Sequence, residues 1–559
     1  MNYWHMQVHP NEPDRNERKK YTEAALNRKI IGLDIKSSLG PNGQNNKPLD
    51  EWDDSDFEGC IANHIKAGIG QGGVARVLKQ FRDEIQDKDI VLVRYGATPV
   101  ALVKIEDDCF FSDDDLDDYI WFRHRYKAKI LGYYDEWVQK HPEIEFTPAA
   151  MGTLQPLINE NSATYQGIEK WKKLIEKGEE LNNFKSLLQI NNQLIFTGAP
   201  GTGKTYKAKQ IAKKMINENS HNADEKIQMG FVQFHPSYDY TDFIEGFRPT
   251  KVTDGNISFE LKNGVFKEFC RKAGVIERIM FNIAFNSTKD GGIDWSKYNK
   301  DDIDSKLDEF CKGFSSNAVA DTNDVKTFWQ KWIKENEDIP KDDEIKSNLP
   351  KFVFIIDEIN RAELSKVFGE LMYSLEPEYR GVEGKIKTQY SNMATENTEN
   401  TWFVAQKDDW FFIPSNVYII GTMNDIDRSV EVFDFALRRR FSWHEIEVDE
   451  KNLRTVLQGM LKDTSWKNSI DGIIKKAEAL NKVIEDSQWG LHKGFKIGPA
   501  YFGKIKLYND TNENNALKTL WNNHLKPLIE EYVRGRSSDK EIKKFLEECK
   551  TSLNFNKRN

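Results

Sequence analysis

Residues 194–215, LIFTGAPGTGKTYKAKQIAKKM, decide the fold. Leu194, Ile195 and Phe196 form a short apolar run, Gly198 to Thr205 spell G-x-x-x-x-G-K-T, and the stretch after Thr205 reads as a helix. Strand, glycine loop and helix in that order suit a phosphate: loop N–H groups wrap it, and the helix N-terminus supplies positive potential. Gly198, Pro200, Gly201, Thr202 and Gly203 shape the loop. Lys204 can reach the β- and γ-phosphates, and Thr205 can offer its hydroxyl to Mg²⁺.

Outward from the loop, MGFVQF (229–234), FVFIID (352–357) and VYIIGTMN (417–424) are further apolar runs suited to buried parallel strands, separated by longer helical patterns. This is a doubly wound α/β layout, placed at residues 185–445. The gap between MGFVQF and FVFIID is long. Residues 275–345 are rich in Asp, Lys, Asn and Trp with helical periodicity, which predicts an inserted helical segment. Beyond Phe441 the pattern turns mostly helical, so residues 446–559 are expected to form a lid-like subdomain.

Two of these runs end in chemistry. FVFIID delivers Asp357 and Glu358 to one strand end, where the first carboxylate can hold the Mg²⁺ shell and the second can activate an attacking water. Asn424, at the tip of the following strand, can orient that water. In Ala436-Leu437-Arg438-Arg439-Arg440-Phe441, Arg438 or Arg439 can project into the nucleotide site of a neighbouring subunit. The competing reading is a solvated helix end favoured by the helix dipole.

The 559 residues require several domains, and 38% hydrophobic with 12% aromatic residues supply their cores. No apolar stretch is long enough to span a bilayer, and the N-terminus lacks a secretion signal, so the expected location is cytoplasmic. The five cysteines are scattered and form no C-x-x-C pair, which argues against a zinc site or a disulfide framework. The net charge of -9 sits in the N-terminal part, where residues 1–160 hold 20 Lys and Arg against 28 Asp and Glu. Charge totals therefore give no general attraction to nucleic acid, and any such contact needs a local basic surface.

Residues 1–140 read as a small α+β domain. A strand at 3–9, two turn-linked strands at 90–96 and 99–107, and a helix at 74–85 are its elements. The polar, proline-containing stretch from His141 predicts a linker, which continues with a leading helix to residue 184. Trp4, Trp52 and Trp121 are candidate faces for stacking an extruded base, with Asp34 as an edge-reading acceptor. Arg123, Arg125, Lys127 and Lys129 alternate and would share one strand face as a positive strip; the alternatives are core tryptophans and a merely solvated strand. Asp34-Ile35-Lys36 also fits a bare D-x-K nuclease motif, with no clear upstream acid to complete it.

Together, GAPGTGKT (198–205), FHPSYDYTDFIEGFRP (234–249), DEINRAELSKVFGELMYSLE (357–376), GTMNDIDRS (421–429) and DFALRRRF (434–441) resemble the McrB family of AAA+ proteins. IGPAYF (497–502) and PLIEEY (527–532) look like that family's C-terminal signatures, so the likeness covers roughly residues 185–535. The resemblance implies an AAA+ P-loop domain with a helical lid that hydrolyses GTP rather than ATP with Mg²⁺. It also implies a ring, expected to be a hexamer, that acts with a separate McrC-like endonuclease subunit on double-stranded DNA carrying a modified base. By the same resemblance Asn424 and Asp427 match the family's Asn and Asp near the attacking water, and Asn360 and Arg361 fill the tail of the acidic motif. Asp425 departs from the pattern, since the family more often has Thr-Ala between that Asn and Asp. Family members differ at their N-termini; here Tyr3-Trp4, the strands 90–107 and the 123–129 strand resemble EVE and YTH-type modified-base readers of PUA-like fold. The alternative function is a MoxR-like AAA+ ATPase that remodels protein partners.

Overall fold

The computed structural model describes residues 2–9, 14–34, 39–40, 47–68, 73–112, 114, 116–148, 152–217, 223–249, 258–286, 300–311, 321–336, 348–393, 404–405, 408–426, 435–486, 490–508, 513–535 and 538–554. The chain forms two compact units, Met1–Glu180 and Leu181–Asn559. Among the described residues no helix is long and apolar enough to cross a membrane.

A six-stranded sheet organises the first unit. Its strands are β1 (Tyr3–Met6), β2 (Ile30–Leu33), β3 (Ile90–Tyr95), β4 (Thr98–Phe111), β5 (His124–Tyr133) and β6 (Leu154–Pro156), in the spatial order β2-β5-β4-β3-β1-β6. β1 and β3 run parallel, and every other neighbouring pair is antiparallel. Successive residues point to opposite faces. Val91 and Val93 thus join Trp4 and Met6 in one core, while Ile90 and Leu92 join Tyr3 and Trp171 in another. Burial on both sides explains why β3 reads as an unbroken apolar run.

The stretch expected to be a linker belongs to this unit. β6 pairs with β1, Ile144 is buried, and the helix Ala163–Asn191 sends Ile168, Trp171 and Ile175 into the second core. A strand of three residues is too short to produce an alternating pattern, so its polar flanks dominated the reading. Trp4 is also core: it is 2% exposed, and its indole Nε1 donates to Asp89 Oδ2 at 3.0 Å. Trp4→Ala is therefore expected to destabilise this unit by about 3–5 kcal/mol, read as a lower urea midpoint. An unchanged midpoint would remove Trp4 from the core.

In the second unit the strands are β7 (Gln193–Thr197), β8 (Met229–Gln233), β9 (Glu245–Pro249), β10 (Phe259–Asn263), β11 (Phe352–Asp357), β12 (Val404–Ala405), β13 (Asp408–Asp409), β14 (Val417–Thr422) and β15 (Ser442–Glu445). Five of them form a parallel sheet in the order β15-β7-β14-β11-β8, and β9–β10 and β12–β13 are separate hairpins. Because β14 lies between β7 and β11, its C-terminal end falls between the glycine loop and the acids. Helices occupy the described parts of the expected insert: Val275–Asn286, Lys300–Phe310 and Thr322–Glu335. They pack onto the sheet's core, with Trp329 stacked on Phe352 of β11 at 5.9 Å. From Glu450 onward, helices gather around Leu453, Leu480, Leu520 and Phe545 in a separate core.

Candidate nucleotide site

Glycine is needed in the loop for geometric reasons. Gly198, Gly201 and Gly203 have φ of 132°, 77° and 90°, which side-chain-bearing residues rarely adopt. A Cβ on Gly198 would also come within 2.4 Å of the Ile446 carbonyl oxygen. Lys204 begins the helix Lys204–Asn217 and is 7% exposed. Its Nζ donates to the Gly198 and Ala199 carbonyls at 2.9 and 2.8 Å. Burial pushes this ammonium down to about 8, against the attraction of Asp425, Glu358 and Asp357.

Asp357 and Glu358 arrive at the same end of the sheet on β11. Asp357 Oδ1 accepts from the hydroxyls of Thr205 and Thr422, each at 2.6 Å. Glu358 has a left-handed backbone, φ 52°, a conformation that costs a residue with a Cβ on the order of 1–3 kcal/mol and clusters at functional sites. Its carboxylate accepts from Asn424 Nδ2 at 2.5 Å and from Arg361 Nε at 3.3 Å. Asn360 in turn donates from Nδ2 to the Asn424 carbonyl at 3.3 Å. Lys204, Thr205, Asp357, Glu358 and Asn424 thus form one cluster. A hydroxyl and a carboxylate side by side are hard oxygen donors that fit Mg²⁺, while the positive-φ glycines and the buried ammonium fit phosphate.

Asp427 lies outside the described residues. Asp425 lies against the loop, where its carboxylate accepts from the Gly198 backbone N–H; burial raises its pKa, and Lys204 opposes the rise. The departure at this position therefore places a carboxylate on the first glycine of the phosphate loop.

Sequence reading missed two groups. Thr422 is one, and its signal was a hydroxyl at the end of an otherwise apolar buried strand. Thr422→Val is expected to slow turnover about tenfold, the scale of one hydrogen bond to a charged group, with little change in nucleotide affinity. A Mg²⁺ titration of turnover checks it, and equal rates would remove Thr422 from the site. The second group comes from the helical C-terminal part. Gly498 N, Ala500 N and Asn452 Nδ2 donate to the carbonyls of Pro200, Gly201 and Thr202 at 3.1, 3.0 and 3.1 Å. A Cβ on Gly498 would meet the Gly201 carbonyl carbon at 2.4 Å, which is why glycine opens that turn.

The arginines lie at the opposite end of the strands, where β7 begins. Gln193, at the start of β7, donates from Nε2 to the Arg440 carbonyl at 2.7 Å, whereas the phosphate loop follows the far end of the same strand. Five strand residues at ~3.3 Å each separate the two by roughly 16 Å. Arg440 Nε and Arg439 Nη2 both pair with Glu376, at 3.0 and 3.4 Å, and Arg438 lies over the Trp443 ring at 5.2 Å. The Arg440 side chain is 10% exposed and that of Arg439 is 68% exposed.

In the first unit the proposed base-reading residues serve the fold. Trp52 is 3% exposed, with its Nε1 donating to the Lys47 carbonyl, and Trp121 is half-buried with Nε1 on the Val8 carbonyl. Asp34 Oδ2 accepts from Arg123 N at 3.0 Å and pairs with Arg123 Nη1 at 3.4 Å. Arg125 is buried, donating to the carbonyls of Phe122 and Asp114. The expected positive strip therefore shrinks to Lys127 and Lys129, and Lys127 is paired with Asp107. The candidate metal motif at Asp34 is likewise engaged by Arg123, and Ile35 and Lys36 lie outside the described residues.

Comparison with known proteins fits this geometry. The family model "McrB, alpha-helical lid domain" matches residues 472–541, and "AAA domain (dynein-related subfamily)" matches residues 317–441. The Type IV methyl-directed restriction enzyme EcoKMcrB subunit of Escherichia coli (strain K12) is 31% identical over 347 residues, 62% of this chain and 54% of that protein. The chain thus aligns with about half the length of that relative. The Type II restriction enzyme BsuMI component YdiS of Bacillus subtilis (strain 168) is 24% identical over 351 residues, 62% of this chain and 82% of that protein. A solved Cytophaga hutchinsonii structure overlaps 68% of this chain and 94% of its own at 13% identity, with a TM-score of 0.24. A glycine loop, an acid pair at the end of β11 and a helical lid bonded to the loop's carbonyls accompany these matches, and the chain carries an AAA domain and a helical lid like those of McrB-family AAA+ proteins.

Proposed function

We propose that this chain hydrolyses GTP, in preference to ATP, as the motor and DNA-recognition subunit of a modification-dependent restriction complex whose nuclease is a separate McrC-like chain. The observation that carries the hydrolytic part is the pairing of Glu358 with Asn424 beside the Asp357–Thr205 pair. Thr205 and Asp357 would hold Mg²⁺, which when bound neutralises charge on the β- and γ-phosphate oxygens. Lys204 leaves the loop carbonyls to take a phosphate. Glu358, fixed from two sides by Asn424 and Arg361, orients the attacking water and accepts its proton.

The roughly 16 Å between the phosphate loop and the Arg440 carbonyl fits Arg438 and Arg439 acting in the site of a second copy, which supports a homo-oligomeric ring and, by family likeness, a hexamer. The restriction role is supported by the names of the two relatives. In this reading the first unit is the EVE/YTH-like reader of a modified base in double-stranded DNA. The test is turnover of GTP and ATP by the full chain, alone and with DNA duplexes carrying unmodified, methylated or hydroxymethylated cytosine or methylated adenine. Faster GTP turnover and selective response to one modified duplex are expected. ATP preference with indifference to every duplex would overturn the proposal in favour of a protein-remodelling ATPase.

A further inference from the structure

Three consecutive residues beyond β14 touch three different parts of the second unit. The backbone N–H of Met423 still donates to the Phe196 carbonyl at 2.9 Å, so the chain leaves the sheet only after it. Asn424 Nδ2 then donates to Glu358, while its carbonyl accepts from Asn360 Nδ2. Asp425 reaches the Gly198 N–H at the start of the phosphate loop. Ile426 packs against the core of the lid, where its Cγ2 would lie 3.5 Å from a Cβ on Gly494. Asp425 and Ile426 are also the two positions at which the chain departs from the more usual Thr-Ala of the pattern it resembles. Thr-Ala has neither a carboxylate for the loop nor a long apolar side chain for the lid.

The lid turn beside Ile426 is itself fastened to the sheet. Lys493 Nζ, next to Gly494, pairs with Glu445 at 2.6 Å and Glu447 at 3.4 Å, and Glu445 ends β15 in register with Thr197 of β7. Charges from each of these elements act on Asp425: Glu445 of the sheet disfavours its ionised form, and Lys204 of the loop and His492 of the lid favour it. Among the acids that act on Lys204, Asp425 acts most strongly, ahead of Glu358 and Asp357. Asp425 is thus the main counter-charge of the lysine that takes a phosphate, and a triphosphate brings further negative charge against it. Adjacent Cα atoms are held ~3.8 Å apart, so a lid movement that carries Ile426 is passed to Asn424 within two links of the chain.

We propose that Asp425 and Ile426 are positioning residues for nucleotide hydrolysis, Asp425 by competing with the triphosphate for Lys204 and holding the phosphate loop, Ile426 by tying the lid to Asn424. The inference rests on the reading of Glu358 and Asn424 as the pair that activates water, and it names what sets their geometry. Neither residue touches the reacting atoms. Asp425 makes binding weaker than the loop alone would allow, so the site gives up affinity for a fixed relation between loop and Asn424. Ile426 makes the place of Asn424 depend on where the lid stands.

The test uses the full chain, with turnover of GTP or ATP, whichever the parent hydrolyses faster, and equilibrium titration of a fluorescent analogue of that nucleotide. Asp425→Asn keeps an acceptor for the Gly198 N–H and removes the charge; it is expected to bind about tenfold tighter, a modest effect for one like charge at a half-buried site, with kcat close to the parent's. Asp425→Ala removes both and is expected to bind as tightly as the Asn variant while kcat falls about tenfold, the scale of one hydrogen bond to a charged group. Ile426→Ala is expected to keep the parent affinity and lose kcat to a similar extent, and Ile426→Val to recover most of it. Melting temperatures of all four variants separate this split from loss of folding, because a residue that only stabilises the chain does not tighten binding when it is replaced. Asp425→Asn that binds no tighter, or Ile426→Ala that keeps the parent kcat, would overturn the proposal. If Glu358→Gln loses turnover while these variants behave as the parent does, the water-activating pair stands and its positioning by Asp425 and Ile426 fails. Full turnover in Glu358→Gln would overturn both.

Discussion

Glu358→Gln is expected to lower nucleotide turnover by ~10²- to 10⁴-fold, the usual contribution of a positioned general base, while the nucleotide still binds. The amide keeps the shape of the carboxylate and loses its basicity. Asn424 donates to Glu358 at 2.5 Å and Arg361 pairs with it at 3.3 Å, both contacts that favour the charged form. The variant should therefore trap the triphosphate-bound state, and single-turnover measurements beside equilibrium binding separate the two effects. Full turnover in the variant would take Glu358 out of the chemistry and leave Asn424 without its role.

Lys204→Ala is expected to abolish nucleotide binding and also to change how stability depends on pH. The ammonium is buried on the Gly198 and Ala199 carbonyls, and its pKa is pushed down to about 8 from the 10.5 of a free lysine. Below about pH 8 both the folded and unfolded chains carry the charge, and the folded state bears the whole desolvation cost. Between about 8 and 10.5 the unfolded chain binds the extra proton, so stability rises with pH. The full change is on the order of 3 kcal/mol, and the Ala variant should lack it. Urea midpoints of parent and variant at pH 7 and pH 10, without nucleotide, measure the difference. Parallel behaviour of the two chains would show that the lysine is not strained before phosphate arrives.

The phosphate loop and the acid strand were legible because their chemistry is local. Gly198, Gly201 and Gly203 are forced by backbone angles, and Lys204 and Thr205 follow them directly. Asp357 and Glu358 end a run whose burial on both faces makes it apolar throughout. Thr422 escaped notice because its partner, Asp357, is 65 residues away in sequence. Gly498 and Ala500 touch the loop through backbone N–H groups, which leave no letter to read. In the first unit the letters misled for the opposite reason: a tryptophan that could stack on a base and one that fills a core look alike in a sequence. Trp4 is recognisable as core only through Asp89, the partner of its indole, and Trp52 through Lys47. The strand β6 was hidden by its length.

The arrangement of the parallel sheet also bears on how the chain is made. β7 lies between β14 and β15, whose first residues, Val417 and Ser442, come about 220 and 245 residues after β7 ends at Thr197. At a synthesis rate of ~5–20 residues per second, the phosphate-loop strand waits roughly 10 to 50 s on the ribosome before either neighbour exists. All residues of the first unit, Met1–Glu180, have been synthesised before that wait begins. Synthesis thus leaves the apolar strand Gln193–Thr197 without its sheet neighbours for that time, and ribosome-associated chaperones have their longest opportunity to bind it there.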